Sequence, residues 1–97
     1  MKYKNPYSVL VVIYAQNTSR VLMLQRQDDL NFWQSVTGTI EEGEQPLRTA
    51  MREVKEETGI DIKEQNLILV DCQYSVKFEI FPQFRYKYAP DTTHNTE

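Results

Sequence analysis

From Tyr7 to Ala15 the chain is almost uninterruptedly β-branched, aliphatic or aromatic, a pattern that predicts a buried strand. Gln16-Asn17-Thr18-Ser19 has turn chemistry, and Arg20 to Arg26 returns as a second strand, so the two predict a hairpin. Asp28 to Phe32 reads as a loop, and Gln34 to Thr37 as a short strand that delivers Gly38. The period then changes. Advancing about 100° per residue, Leu47, Ala50, Met51 and Val54 fall on one apolar arc, which predicts a helix over 46–58. Ile60 to Ile62 reads as extended. Leu67 to Asp71 begins another strand, which Cys72 to Phe81 continues past a bend. Pro82 interrupts pairing, and Phe84 to Tyr88 alternates as a further strand. Ala89 to Glu97 reads as loop, with His94 at the surface. Cys72 is expected to be a small buried residue, and Phe32 and Trp33 to cap a pocket or fill core.

The predicted helix has marked ends. Pro46 suits a first-turn position, where its missing N–H costs nothing, and Gly59 suits a left-handed stop. Glu41, Glu42 and Glu44 lie at or just before the positive end of the helix dipole. Glu53, Glu56 and Glu57 stand at i, i+3 and i+4, so a helix gathers them on one face. That arc lies beside the apolar arc, with Glu57 near the boundary. Like charges so crowded repel, unless a hard divalent cation binds their oxygens. A solvated acidic helix is the commoner meaning of such a triplet. It gives no reason for Gly38 and Gly43 to bracket an acidic loop, nor for Arg52 beside the first acid.

Residues 38–60, GTIEEGEQPLRTAMREVKEETGI, resemble the signature of the Nudix hydrolases at every defining position. The resemblance implies an α/β fold, an α/β/α sandwich around a mixed β-sheet, with residues 1–97 as one domain and the box at 38–60. Members of the family usually continue with further strands and a closing helix, so the chain is expected to lack its C-terminal strands and helix. The implied reaction is water attack at a phosphorus of a diphosphate linked to another moiety, with Mg²⁺ as cofactor and Mn²⁺ as an alternative. Carried onto this sequence, Glu53 and Glu57 are the surest metal ligands, and Glu56 is a ligand or a base. The Gly38 carbonyl joins them, which explains a residue without a side chain at that place. Arg52 is expected to orient the acids as an ion-pair partner, and Glu44 to hold Arg52 or the loop. Gly59 is structural, and the general base stays open.

Outside the box, SVLVVIYAQ, VLMLQR, FWQSVTG and the run DCQ…FEIF…YAP…NTE resemble the branch of this family that acts on a pterin triphosphate in folate synthesis. That branch releases pyrophosphate and leaves the monophosphate. Two alternatives stand beside it: a house-cleaning pyrophosphatase of nucleoside triphosphates, and a truncated metal-binding module without catalysis. Candidate substrate contacts are Lys4 and Arg26 for phosphate and the Thr37 hydroxyl. Phe78, Glu79, Ile80 and Phe81 are candidates for the ring, because a carboxylate such as Glu79 can accept from the adjacent N–H donors of a pterin. Each has an ordinary meaning as well: a solvated strand end, β propensity, an exposed terminal lysine, an exposed strand acid.

With 97 residues the chain has room for one small core. Its 40% hydrophobic and 26% charged residues are those of a soluble globular domain. A net charge of −3 supplies no field for nucleic acid, so an anionic small-molecule triphosphate must be recruited locally. Cys72 is the only cysteine, which excludes an internal disulfide and suits the cytoplasm. The start, MKYKNPYSVLVVIYAQ, resembles a signal peptide only superficially, and no stretch is long enough to span a bilayer. No nucleic-acid or membrane partner is therefore expected. Composition leaves the oligomeric state open.

Overall fold

The first apolar run forms two strands rather than one. In the computed structural model, which describes residues 2–97, β1 (Ser8–Val11) pairs antiparallel with β6 (Val36–Thr39). Their register sets Val9 opposite Gly38 and Val11 opposite Val36. β2 (Tyr14–Ala15) pairs separately with β3 (Arg20–Val21) across the polar turn, which is the predicted hairpin in shortened form. β4 (Leu24–Gln25) leaves the second arm to pair with β5 (Trp33–Gln34). The break between these pairs is spanned by one backbone bond, Leu22 N–H to the Ile13 carbonyl at 2.9 Å.

The helix matches its prediction. α1 (Pro46–Thr58) begins on Pro46 and ends at Gly59, whose φ of 80° only glycine adopts cheaply. The Gly59 N–H closes the last turn on the Lys55 carbonyl at 2.9 Å. Ala50 and Val54 pack on Val11 and Val36, and these four side chains form the buried core between α1 and the β1–β6 pair. Leu47, expected in the same arc, lies in the first turn and is exposed. Thr49 is buried instead. Its hydroxyl donates to Glu44 Oε1 at 2.7 Å, so its burial leaves no polar atom unsatisfied.

Beyond α1 the predictions and the structure part company. No strand forms over 60–62 or 67–76; residues 61–67 fold into turns closed by Gln65 N–H to Asp61 and Leu67 N–H to Ile62. Ile68 is 90% exposed, since β-prone side chains form a strand only where another strand offers a ladder. Cys72 lies in this segment and is exposed, not buried. Phe32 and Trp33 are exposed as well. β7 (Lys77–Glu79) pairs antiparallel with β8 (His94–Thr96), in the stretch expected to be loop. Phe84 to Tyr88 is not a strand: Pro82–Lys87 coil into a 3₁₀ helix, for which Pro82 is preset at the start. The Arg85 Nε then donates to the Ile80 carbonyl at 2.9 Å. Parallel bridges of Lys4 with Tyr88 and Tyr7 with Thr96 bring the N-terminal segment alongside β8. The α/β class holds. The described strands form four two-stranded pairs rather than one continuous sheet. No helix among the described residues is long and apolar enough to cross a membrane.

Candidate active site

Gly38 lies in β6 directly under α1. A Cβ there would overlap the Glu53 side chain, so the backbone can approach that carboxylate only because the residue is glycine. Arg52, one residue earlier on α1, gathers the loop around this point. Its Nε donates to Glu44 Oε2 at 2.9 Å and its Nη2 to Glu44 Oε1 at 2.9 Å, a two-pronged pairing. The same Nη2 donates to the Thr39 carbonyl at 3.0 Å. Glu44 also accepts the Glu41 N–H at 3.1 Å and the Thr49 hydroxyl. Arg52 first, then Thr49, pull the Glu44 carboxyl from an ordinary 4.5 down to about 2. Glu44 thus holds both Arg52 and the acidic loop.

The three acids of the helix face have different surroundings. Glu53 is nearly enclosed, with its side chain 13% exposed, and accepts from Arg52 Nη1 at 2.7 Å. Glu56 is open to solvent and reaches the same nitrogen at 3.4 Å. Glu57 is exposed overall, but its carboxyl tip lies against β6. Lost hydration there, and then the charge of Glu53, push its pKa up, while the Thr37 N–H opposes the shift. Among the described residues, no three acidic, His or Cys side chains converge closely enough to hold an ion. Arg52 draws Glu53 and, more loosely, Glu56, while Glu57 lies by the Thr37 N–H. The donors are oxygens only, as a hard cation requires, and Gly38 leaves room beside Glu53.

A cleft of about 470 Å³ opens beside Gly38 and Glu53. Four of the expected substrate contacts, Lys4, Arg26, Thr37 and Phe78, line it together with them. The Lys4 ammonium sits 5.7 Å from the centre of the Tyr88 ring. Burial, then neighbouring Lys87, lower its pKa, while Glu53 and Glu41 oppose the shift. Arg26 is held by Asp28 through bonds of 2.7 and 2.6 Å and covers the Phe32 ring. Glu79, Ile80 and Phe81 do not line the cleft. Strand alternation turns Glu79 to the face opposite Phe78, where it pairs with Arg85 at 2.7 Å. Ile80 is buried, and Phe81 is exposed elsewhere. Sequence reasoning missed Ser8, Tyr88, Asn95 and Glu97, which line the cleft as well. Their placement depends on the β7–β8 register, which sets Phe78 opposite Asn95, and on the parallel bridges at Tyr7 and Lys4.

Comparison with known proteins agrees with this geometry. The NUDIX domain profile matches residues 4–96. The dihydroneopterin triphosphate diphosphatase of Haemophilus influenzae is 64% identical over 97 residues, all of this chain and 61% of the relative. That of Escherichia coli K12 is 63% identical over 95 residues, 98% of this chain and 63% of the relative. The solved structure of the E. coli dihydroneopterin triphosphate pyrophosphohydrolase superposes with a TM-score of 0.90 at 63% identity, covering 98% of this chain and 65% of that one. The chain thus spans about three fifths of the length of the curated relatives it matches. A profile match across nearly the whole chain, together with 63–64% identity to these relatives, establishes that the chain belongs to the Nudix family.

Proposed function

We propose that the chain hydrolyses dihydroneopterin triphosphate to dihydroneopterin monophosphate and pyrophosphate. The observation that carries the substrate is identity of 64% with a dihydroneopterin triphosphate diphosphatase over all 97 residues, well beyond the box at 38–60. Glu53, Glu56, Glu57 and the Gly38 carbonyl would hold Mg²⁺, with Mn²⁺ as an alternative, and the bound cation supplies neutralisation of the diphosphate and activation of a water. Arg52 positions Glu53 and, through Glu44, fixes the acidic loop. Lys4 and Arg26 bind phosphate oxygens, for which Arg26 exchanges its exposed and therefore weak pairing with Asp28. Thr37 offers a hydroxyl, and Phe78 a face for the ring. Glu56, open to solvent, serves as a ligand or as the base.

The test is pyrophosphate release with divalent metal, measured for dihydroneopterin triphosphate beside the common nucleoside triphosphates. The pterin substrate is expected to have the highest kcat/KM. An equal or higher value for a nucleotide would make the chain a house-cleaning enzyme, and turnover of none of them a metal-binding module.

A further inference from the structure

We propose that Glu97 determines specificity: its carboxylate accepts the paired N–H donors on the edge of the substrate's bicyclic ring. This rests on the pterin triphosphate reading above and names the group that reads the ring. Glu79, the acid first expected to do so, is turned away and paired with Arg85. Glu97 stands in the cleft with Phe78, whose aromatic face suits a flat heterocycle, and with Tyr88.

The acid is held in place before any ligand arrives. Its N–H donates to the Val76 carbonyl at 2.8 Å, and its carbonyl accepts the Val76 N–H at 2.7 Å, extending the β7–β8 ladder. The period of two along β8 puts Glu97 on the face of Asn95, the register partner of Phe78. The Ser8 hydroxyl donates to Glu97 Oε2 at 2.7 Å, and Asn95 Nδ2 donates to Ser8 Oγ at 2.8 Å. Asn95 is 3% exposed, so this brace is anchored in the interior. Among the described residues no arginine or lysine pairs with Glu97, in contrast to Glu53. Of the other acids lining the cleft, Glu53 lies against Gly38, and Glu41 belongs to the loop before α1. A carboxylate has about four acceptor positions, so one bond from Ser8 leaves capacity for two ring donors. A pterin offers a ring N–H beside an exocyclic amino group, as guanine does, whereas adenine offers no such pair.

The experiment compares wild type with Glu97→Gln, which can still accept from Ser8 but presents an N–H₂ to the ring. Melting temperature is recorded first, and kcat/KM is then measured for dihydroneopterin triphosphate, GTP and ATP. Binding of neopterin, which carries no phosphate, is followed by its fluorescence without metal. We expect about a 10- to 100-fold loss for dihydroneopterin triphosphate and GTP, mainly in KM, a similar weakening of neopterin, and ATP within about twofold. Ser8→Ala, which keeps the carboxylate but frees it, should give a smaller loss with the same selectivity. Equal losses on all three triphosphates would make Glu97 merely a seam between β1 and β8 and overturn the proposal, as would unchanged neopterin binding. If Glu97→Gln does not fold, Glu97→Asp decides by the same ratios. Should wild type fail on the pterin yet favour GTP over ATP, with the variant losing that preference, the ring-reading role stands while the substrate reading falls.

Discussion

Residues 38–60 and residues 61–76 follow one another in the chain and behave in opposite ways. The first segment matches its predicted helix end to end and binds itself together through Arg52, Glu44 and Thr49. The second carries strand-forming residues such as Ile68 and Val70, yet contains no strand and leaves both exposed. A helix satisfies its backbone within its own span, and its ion pairs reach only a turn or a loop away. A strand has nothing until another strand supplies its hydrogen bonds. The contrast teaches where local pattern is sufficient and where it is not.

The contrast can be tested by substitution. The largest expected effect is on turnover. Glu57→Gln keeps the shape of the helix face but removes a ligand charge, and kcat should fall on the order of 100-fold. Because its carboxyl already suffers from lost hydration and from Glu53, thermal stability should hold or rise slightly at neutral pH. Wild-type turnover at saturating metal would remove Glu57 from the proposed site. Gly38→Ala forces a methyl into the Glu53 side chain and should cost about 1–3 kcal/mol of stability, together with most activity. Denaturant melts and rates of the one variant settle both parts. Val54→Ala opens a hole in the core, where Val54 is 1% exposed, and should cost about 2 kcal/mol in the same melts.

A smaller effect follows from the depressed Glu44. Its folded pKa of about 2 lies below its ordinary 4.5, so the stability it contributes is complete above 4.5 and is lost as pH falls toward 2. Glu44→Gln should cost about 1–2 kcal/mol at neutral pH. The gap between variant and wild type should close on acidification through that window. An unchanged gap at low pH would mean that the charge of Glu44 contributes nothing. The smallest effect is expected in the second segment: Ile68→Ser should stay within about 0.5 kcal/mol, since the side chain is already in water. A larger loss would show that Ile68 is covered in solution.

Much of the candidate site was legible in the sequence. The spacing of Glu53, Glu56 and Glu57 put them on one helix face, and Pro46 and Gly59 marked its limits. Gly38 stood out as a residue that needed no side chain, and the overlap of a Cβ with Glu53 supplies the reason. Lys4, Arg26, Thr37 and Phe78 were expected near the ligand and line one cleft. Glu79, Ile80 and Phe81 were expected there and lie elsewhere. Strand phase turns Glu79 away, whereas Ile80 shares the phase of Phe78 and is buried instead, and a pattern of aromatics states neither outcome.

By itself the sequence determined the helix, its ends, the order of the acids and the family, because each depends on residues a few positions apart. Only the tertiary structure decided which side chains share the cleft. Ser8 meets Glu97 and Asn95 across most of the chain, through a ladder and bridges whose register no local pattern encodes. It also decided the fate of Phe84 to Tyr88, whose strand-like alternation finds no partner strand and gives way to a 3₁₀ helix. The physical reason is the same in both cases. A strand's hydrogen bonds and its inward face are supplied by a distant partner, and that partner exists only once the chain has folded.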